Sequence, residues 1–188
     1  MTLHLVRHGP THARVMVGWT DIAADLSDHD RIARLSAHLP HHATLLSSDL
    51  ARARATADAL ASPTRPRLPD DADLREINFG AWEMRGFAEV QAEAPDHIRA
   101  FWETPGDIAP PGGESWNKVV ARVSVALDRL PPGDAIVVCH FGAILAALQY
   151  CLSLTATEVF AHRIDNLSVT RLERTSGIWH PALINHLP

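Results

Sequence analysis

The run Ala135-Ile-Val-Val-Cys139 is wholly apolar, five residues long, fenced by Pro131-Pro132-Gly133 on one side and His140 on the other. A run this short and uniform reads as a strand buried on both faces. Leu3–Val6, stopped by Gly9-Pro10, and Thr44–Ser47 read the same way. Helical segments lie between them. Ser27 to Leu39 carries Ile32, Leu35 and Leu39 at helical spacing, with Ser27 or Asp28 as its cap and Pro40 as its stop. Asp49 is expected to cap an Ala-rich helix that runs to about Ala61. Further helices are expected at 86–94 and 96–103, broken by Pro95, at Glu114–Leu130, and from about Gly142 to Leu152. Residues 70–80 are irregular and acidic, and 105–113 form a Pro/Gly-rich loop. Leu167–Leu172 and Ile178–Ile184 read as a final strand pair joined at Ser176-Gly177. Strands alternating with helices predict an α/β fold, a three-layer α/β/α sandwich around a mostly parallel sheet. With 188 residues, no internal repeat and no long linker, one domain over 1–188 is expected.

In open α/β sheets, ligands bind beyond the carboxyl ends of the strands. Arg7-His8-Gly9 follows the first strand, Ser48-Asp49-Leu50-Ala51-Arg52 the second, and His140-Phe141-Gly142 the 135–139 strand. Three junctions therefore deliver two His and two Arg to one edge, and Arg75-Glu76 adds a carboxylate from the irregular stretch. Singly, each has a plain alternative. A His after a strand is commonly structural, Arg52 suits a solvated helix face, Glu76 suits a surface ion pair with Arg75, and Cys139 suits buried packing better than a thiolate. Jointly they suit a phosphoryl group. Arginine forks neutralise its oxygens, a neutral imidazole attacks phosphorus, and a protonated carboxyl serves the departing alkoxide. No metal or other cofactor is required.

Composition narrows the partners. A net charge of −5 gives no nucleic-acid or membrane surface, and no apolar run approaches the roughly 20 residues of a membrane span. No secretory signal is visible at Met1, and two cysteines make no disulfide framework, so a cytoplasmic location is expected. Sixteen Arg against the single Lys118 make individual arginines worth checking as oxyanion forks.

The motifs resemble those of the histidine-phosphatase, or phosphoglycerate-mutase-like, superfamily, over nearly the whole chain and in order. Leu5-Val6-Arg7-His8-Gly9-Pro10-Thr11 is similar to its Arg-His-Gly signature, and Ser47 to Ala57 to its second arginine motif. Leu74 to Glu83 resembles its general-acid segment, Pro111-Gly112-Gly113-Glu114-Ser115 the turn before its long helix, and Val137 to Gly142 its second-histidine motif. The resemblance implies that His8 is phosphorylated, that Arg7, Arg52 and His140 hold the phosphate, and that Glu76 donates and then accepts the proton, with Glu83 as the competing carboxylate. Three features depart from the family. Arg14 stands where Asn is usual, Pro10 where Glu or Gln is usual, and Asp30 and Ala33 replace the usual Gly and Gln. Arg14 then serves as a phosphate contact, contacts a second anionic group, or points to solvent.

Within the family, the segment Arg75–Glu83 is most similar to alpha-ribazole phosphatases and related broad phosphatases. Only about thirty residues separate Gly80 from Pro111, fewer than glycolytic mutases carry. The resulting open pocket favours hydrolysis of a phosphohistidine on a small phosphorylated metabolite. Thr11 and the loop Gly18-Trp19-Thr20 are expected substrate contacts, and Trp82, Phe87, Phe101, Trp102 and Trp116 are either an aromatic wall or core. A mutase-type phosphoryl transfer and a non-catalytic phospho-ligand-binding relative stand as alternatives, and a homodimer is left open. A metal-binding protein is the other rival, raised by twelve histidines; His4, His8 and His12 would line one helical face, but a strand and Gly9-Pro10 occupy that stretch.

Overall fold

The computed structural model describes all 188 residues. Its centre is a five-stranded sheet, β1 (Thr2–Arg7), β2 (Thr44–Ser47), β3 (Ala135–Cys139), β4 (Val169–Thr175) and β5 (Ile178–His186), in the order β2-β3-β1-β4-β5. The first three are parallel, β4 runs antiparallel to β1, and β5 runs antiparallel to β4, so β4 alone opposes the other four strands. All five residues of β3 are buried, as their uniform apolarity requires. The helices are α1 (His29–His38), α2 (Ala51–Leu60), α3 (Phe87–Glu93), α4 (Pro95–Glu103), α5 (Trp116–Asp128), α6 (Phe141–Leu152) and α7 (Ala156–Phe160), with 3₁₀ turns at Ala72–Leu74 and Gly80–Trp82.

Two apolar layers flank the sheet. Val6, Ile136 and Val138 pack one face against Leu35 and Leu39 of α1 and Ala53 and Ala57 of α2. Leu3, Leu5, Ala135 and Val137 pack the other against Val119 and Val123 of α5 and the apolar run of α6. The helix after β1 thus leaves to one face and the helix after β3 to the other, although the two strands are neighbours. That divergence opens a crevice at their carboxyl ends. None of the helices is long and apolar enough to cross a membrane.

Three local expectations need correction. Asp49 does not cap α2, because its carboxylate takes the Arg75 guanidinium at 2.7 and 2.5 Å. Asp21 instead accepts the Ala51 N–H at 2.7 Å. Pro95 starts α4 instead of merely separating two helices, since a first-turn proline gives up no helical hydrogen bond. The short α7, closed by a Thr155/Glu158 capping box, adds a helix where none was expected.

Candidate active site

The parallel register pairs Arg7 with Cys139, so the next residues, His8 and His140, emerge side by side. Their ring centroids are 5.0 Å apart. His8 is 6% exposed and His140 fully buried. The His8 Nδ1 lies 2.6 Å from the Gly9 carbonyl. A carbonyl only accepts, so Nδ1 carries the proton and Nε2 keeps its lone pair. Burial pushes the His8 imidazole down to about 3, and the nearby Arg52 and Arg7 charges push the same way. His140 is also held well below its ordinary value, by burial and then by His8 and Arg52. Both rings are therefore neutral at physiological pH. Burial pushes the Cys139 thiol up to about 12, which leaves it no thiolate character.

Two arginines face this pair. Arg52 lies on the buried stripe of α2 with Ala53, Thr56, Ala57 and Leu60, and is 1% exposed. Its fork donates to the carbonyls of Gly18 (2.6 Å) and Thr20 (3.0 Å). Arg7 donates to the Ile164 carbonyl at 2.6 Å. The Arg7 Nε and both ring nitrogens of His140 are buried without a hydrogen-bond partner in the protein. Orphaned polar atoms are uncommon inside proteins and costly, so a cluster of them beside a lone-pair imidazole marks a ligand site. Thr56 accepts the Gly9 N–H at 3.0 Å, and Asn166 donates to the His8 carbonyl at 2.8 Å, which fixes the backbone of the histidine loop.

Glu76 is 8% exposed and closes on the start of α6, where its two oxygens accept the Gly142 N–H at 3.0 and 3.1 Å. A Cβ at position 142 would collide with that carboxylate, so the glycine is required by close approach. The backbone around Glu76 is clamped from behind by Arg122 of α5. Its guanidinium donates to the carbonyls of Asp73, Arg75 and Glu76 at 2.9, 2.7 and 2.9 Å, and pairs with Glu114 at 2.9 Å. Glu114 also accepts the Asn78 N–H at 2.9 Å.

A cleft of about 230 Å³ lies over these groups, and His8, Arg7, Arg52, Glu76 and Thr11 are among its walls. Other expected contacts fall elsewhere. Arg14 is exposed, makes no hydrogen bond and does not line the cleft. Glu83 accepts the N–H groups of Gly18, Trp19, Thr20 and Phe79 and the Thr20 hydroxyl, so it organises the loop whose carbonyls orient Arg52. These donors hold its carboxyl below the usual range despite the opposing effect of burial. Trp19 donates its indole N–H to the Glu76 carbonyl and lies 4.7 Å under the Arg75 guanidinium, outside the cleft. Of the aromatic candidates, Trp102 reaches the cleft, Trp82, Phe101 and Trp116 are core, and Phe87 is exposed. No three His, Cys, Asp or Glu side chains are grouped to hold a metal ion.

Sequence reasoning missed Arg122, Thr56 and Asn166. For Arg122 there was a usable sign: it is a cation on a helix whose other repeating positions, Val119 and Val123, are apolar, and it follows Glu114 by two turns.

The family model described as "Histidine phosphatase superfamily (branch 1)" matches residues 3–186. The "Bifunctional protein Rv2228c" of Mycobacterium tuberculosis is 31% identical over 91% of this chain, and this chain spans 50% of that protein, about half the length of the first curated relatives it matches. "Probable phosphoglycerate mutase GpmB" of Escherichia coli is 27% identical over 95% of this chain and 87% of that protein. Among solved structures, mycobacterial glucosyl-3-phosphoglycerate phosphatase Rv2419c superposes with a TM-score of 0.84 at 28% identity, covering 98% of each chain. The alpha-ribazole phosphatase from Shigella flexneri gives 0.84 at 22% identity over 99% and 96%, which shows a shared fold.

Proposed function

The chain belongs to the histidine phosphatase superfamily (branch 1), and from that premise we propose that it hydrolyses small-molecule phosphomonoesters through a phosphohistidine at His8. The observation that carries this reading is the His8 imidazole, neutral, with its Nδ1 proton given to the Gly9 carbonyl and its Nε2 lone pair free. Nε2 attacks phosphorus and forms an N–P bond while the bond to the leaving oxygen breaks. Glu76 gives that oxygen its proton. A water molecule then returns a proton to Glu76 as its oxygen attacks phosphorus, the N–P bond breaks, and phosphate leaves.

The partnerless Arg7 Nε and His140 nitrogens, together with the Arg52 charge, stabilise the transferring oxygens. Hydrolysis is favoured over mutase-type transfer because α3 and α4 are the only helices between Gly80 and Pro111. A non-catalytic role fits less well, since every position the chemistry needs is filled. Alpha-ribazole phosphate is one candidate substrate, by likeness of the Arg75–Glu83 segment and of the fold. The test is phosphate release from p-nitrophenyl phosphate by the wild type and by His8→Ala. Activity lost in the variant supports the reading, and equal activity in both overturns it.

A further inference from the structure

The cleft has walls that a phosphoryl group does not need. Beyond Arg7, His8, Arg52 and Glu76, Thr11 is its one other hydroxyl or charged side chain. Val15, Met16 and Val17 stand on the loop after the nucleophile, and Phe79, Phe141 and Trp102 also line it. A second, smaller void of about 40 Å³ shares Glu76, Phe79, Phe141 and Trp102 with the cleft, so these side chains form the partition between the two. Trp116 and Phe160 also line it.

Trp102 is the central member of the partition. Its ring packs edge-on against Phe101 at 4.9 Å and Phe160 at 6.2 Å, and lies 6.1 Å from Phe79. Its indole N–H is shielded from solvent and has no partner, so packing alone holds the ring.

The leaving oxygen of a phosphomonoester must sit beside Glu76 to receive a proton. Whatever it carries then meets the walls that Glu76 shares with the void. A carboxylate there finds no further cation, because Arg7 and Arg52, the cleft's two arginines, serve the phosphoryl oxygens in the proposed reaction and Arg14 lies outside the cleft. Sugar hydroxyls would exchange water for apolar surface and lose hydrogen bonds. A ring or alkyl chain loses only its unfavourable hydration.

We propose, on the basis of the phosphatase reading above, that the enzyme selects phosphomonoesters whose leaving group is an apolar ring or chain, seated against Phe79, Phe141 and Trp102, with Trp102 setting the preference. This sets phosphoglycerates and sugar phosphates aside as preferred substrates, and with them alpha-ribazole phosphate, whose phosphate is carried on a ribose.

The test compares kcat/KM for 2-phenylethyl phosphate, ethyl phosphate and 3-phosphoglycerate, the first two differing mainly in apolar surface near the ester. The wild type should favour the phenylethyl ester over the ethyl ester by about 10- to 100-fold, the range one apolar pocket contact confers. Trp102→Ala should collapse that ratio toward one, and Trp102→Phe should restore most of it. Should Trp102→Ala fail to fold, inhibition of the wild type by phenylethylphosphonate and ethylphosphonate decides, with the first expected to bind at least tenfold more tightly. Equal values for the two esters, equal inhibition by the two phosphonates, or faster turnover of 3-phosphoglycerate overturns the proposal while leaving the phosphatase intact. No phosphate release from any ester, p-nitrophenyl phosphate included, overturns both.

Discussion

Glu76 and Gly142 meet with no room between them: both carboxylate oxygens accept the Gly142 N–H, at 3.0 and 3.1 Å, across 66 residues of chain. The start of α6 therefore positions the proposed acid directly after the strand that delivers His140. Gly142→Ala should displace the carboxylate and lower kcat by about 10²–10⁴ on alkyl phosphates, as Glu76→Gln should, because both remove the positioned proton donor. The loss should shrink on p-nitrophenyl phosphate, whose leaving group needs little protonation. Steady-state kinetics on the two substrates checks this, and an equal loss on both would contradict it.

Arg122 and Glu114 pair with side chains only 13% and 15% exposed, and Arg122 ties three carbonyls of the Glu76 segment. Arg122→Ala removes a donor from each of those carbonyls and leaves the part-buried Glu114 carboxylate without its cation, a loss of about 3 kcal/mol. For a chain of this length that corresponds to a fall of about 6–12 °C in Tm. Thermal unfolding measures it, and a shift under 2 °C would show that the clamp is not structural.

Arg52 depends on the loop that Glu83 organises. Arg52→Ala should reduce the rate by on the order of 10²–10³. Arg52→Lys should be nearly as poor, because an ammonium cannot span the Gly18 and Thr20 carbonyls with a planar fork. Glu83→Ala should lower kcat/KM by about tenfold through Arg52, while Arg14→Ala, exposed and outside the cleft, should stay within about twofold for p-nitrophenyl phosphate.

Buried neutral histidines make the fold acid-sensitive. His4, buried in β1, is pushed down to about 4 by burial and by Arg171, and His8 to about 3. In the unfolded chain each titrates near 6.5, so between 6.5 and those values the unfolded state binds more protons. Their stabilisation is complete above pH 6.5 and is lost as the pH falls toward 4 and 3, at up to about 1.4 kcal/mol per pH unit for each. His4→Leu should therefore flatten the fall in stability between pH 6 and 4.5, as read from denaturant midpoints. An unchanged slope would place the acid sensitivity elsewhere.

Much of this arrangement was legible in the chain. The uniform apolarity of Ala135–Cys139 announced a central strand, and the Arg-His-Gly and His-Phe-Gly junctions announced which edge would carry chemistry. The strand pairing that puts His8 beside His140 is a long-range choice no local pattern encodes. Asp49 read as a helix cap because Asp commonly caps, and a bidentate arginine 26 residues away outcompeted the helix terminus. Glu83 sits in the general-acid segment and Trp19 in the loop after the nucleophile, yet their partners are largely backbone groups far along the chain, which residue type alone does not reveal. Arg14 departs from the family pattern, and its side chain lies outside the cleft.

In the proposed reaction, His8 is the group that takes the phosphoryl. Rapid alkaline quenching of the enzyme turning over p-nitrophenyl phosphate, followed by peptide mass spectrometry, tests this most directly. The expected result is an acid-labile, alkali-stable phosphoryl adduct on His8, more abundant in Glu76→Gln and absent in His8→Ala. Steady phosphate release with no adduct in either active form, or an adduct on His140 instead, would contradict it.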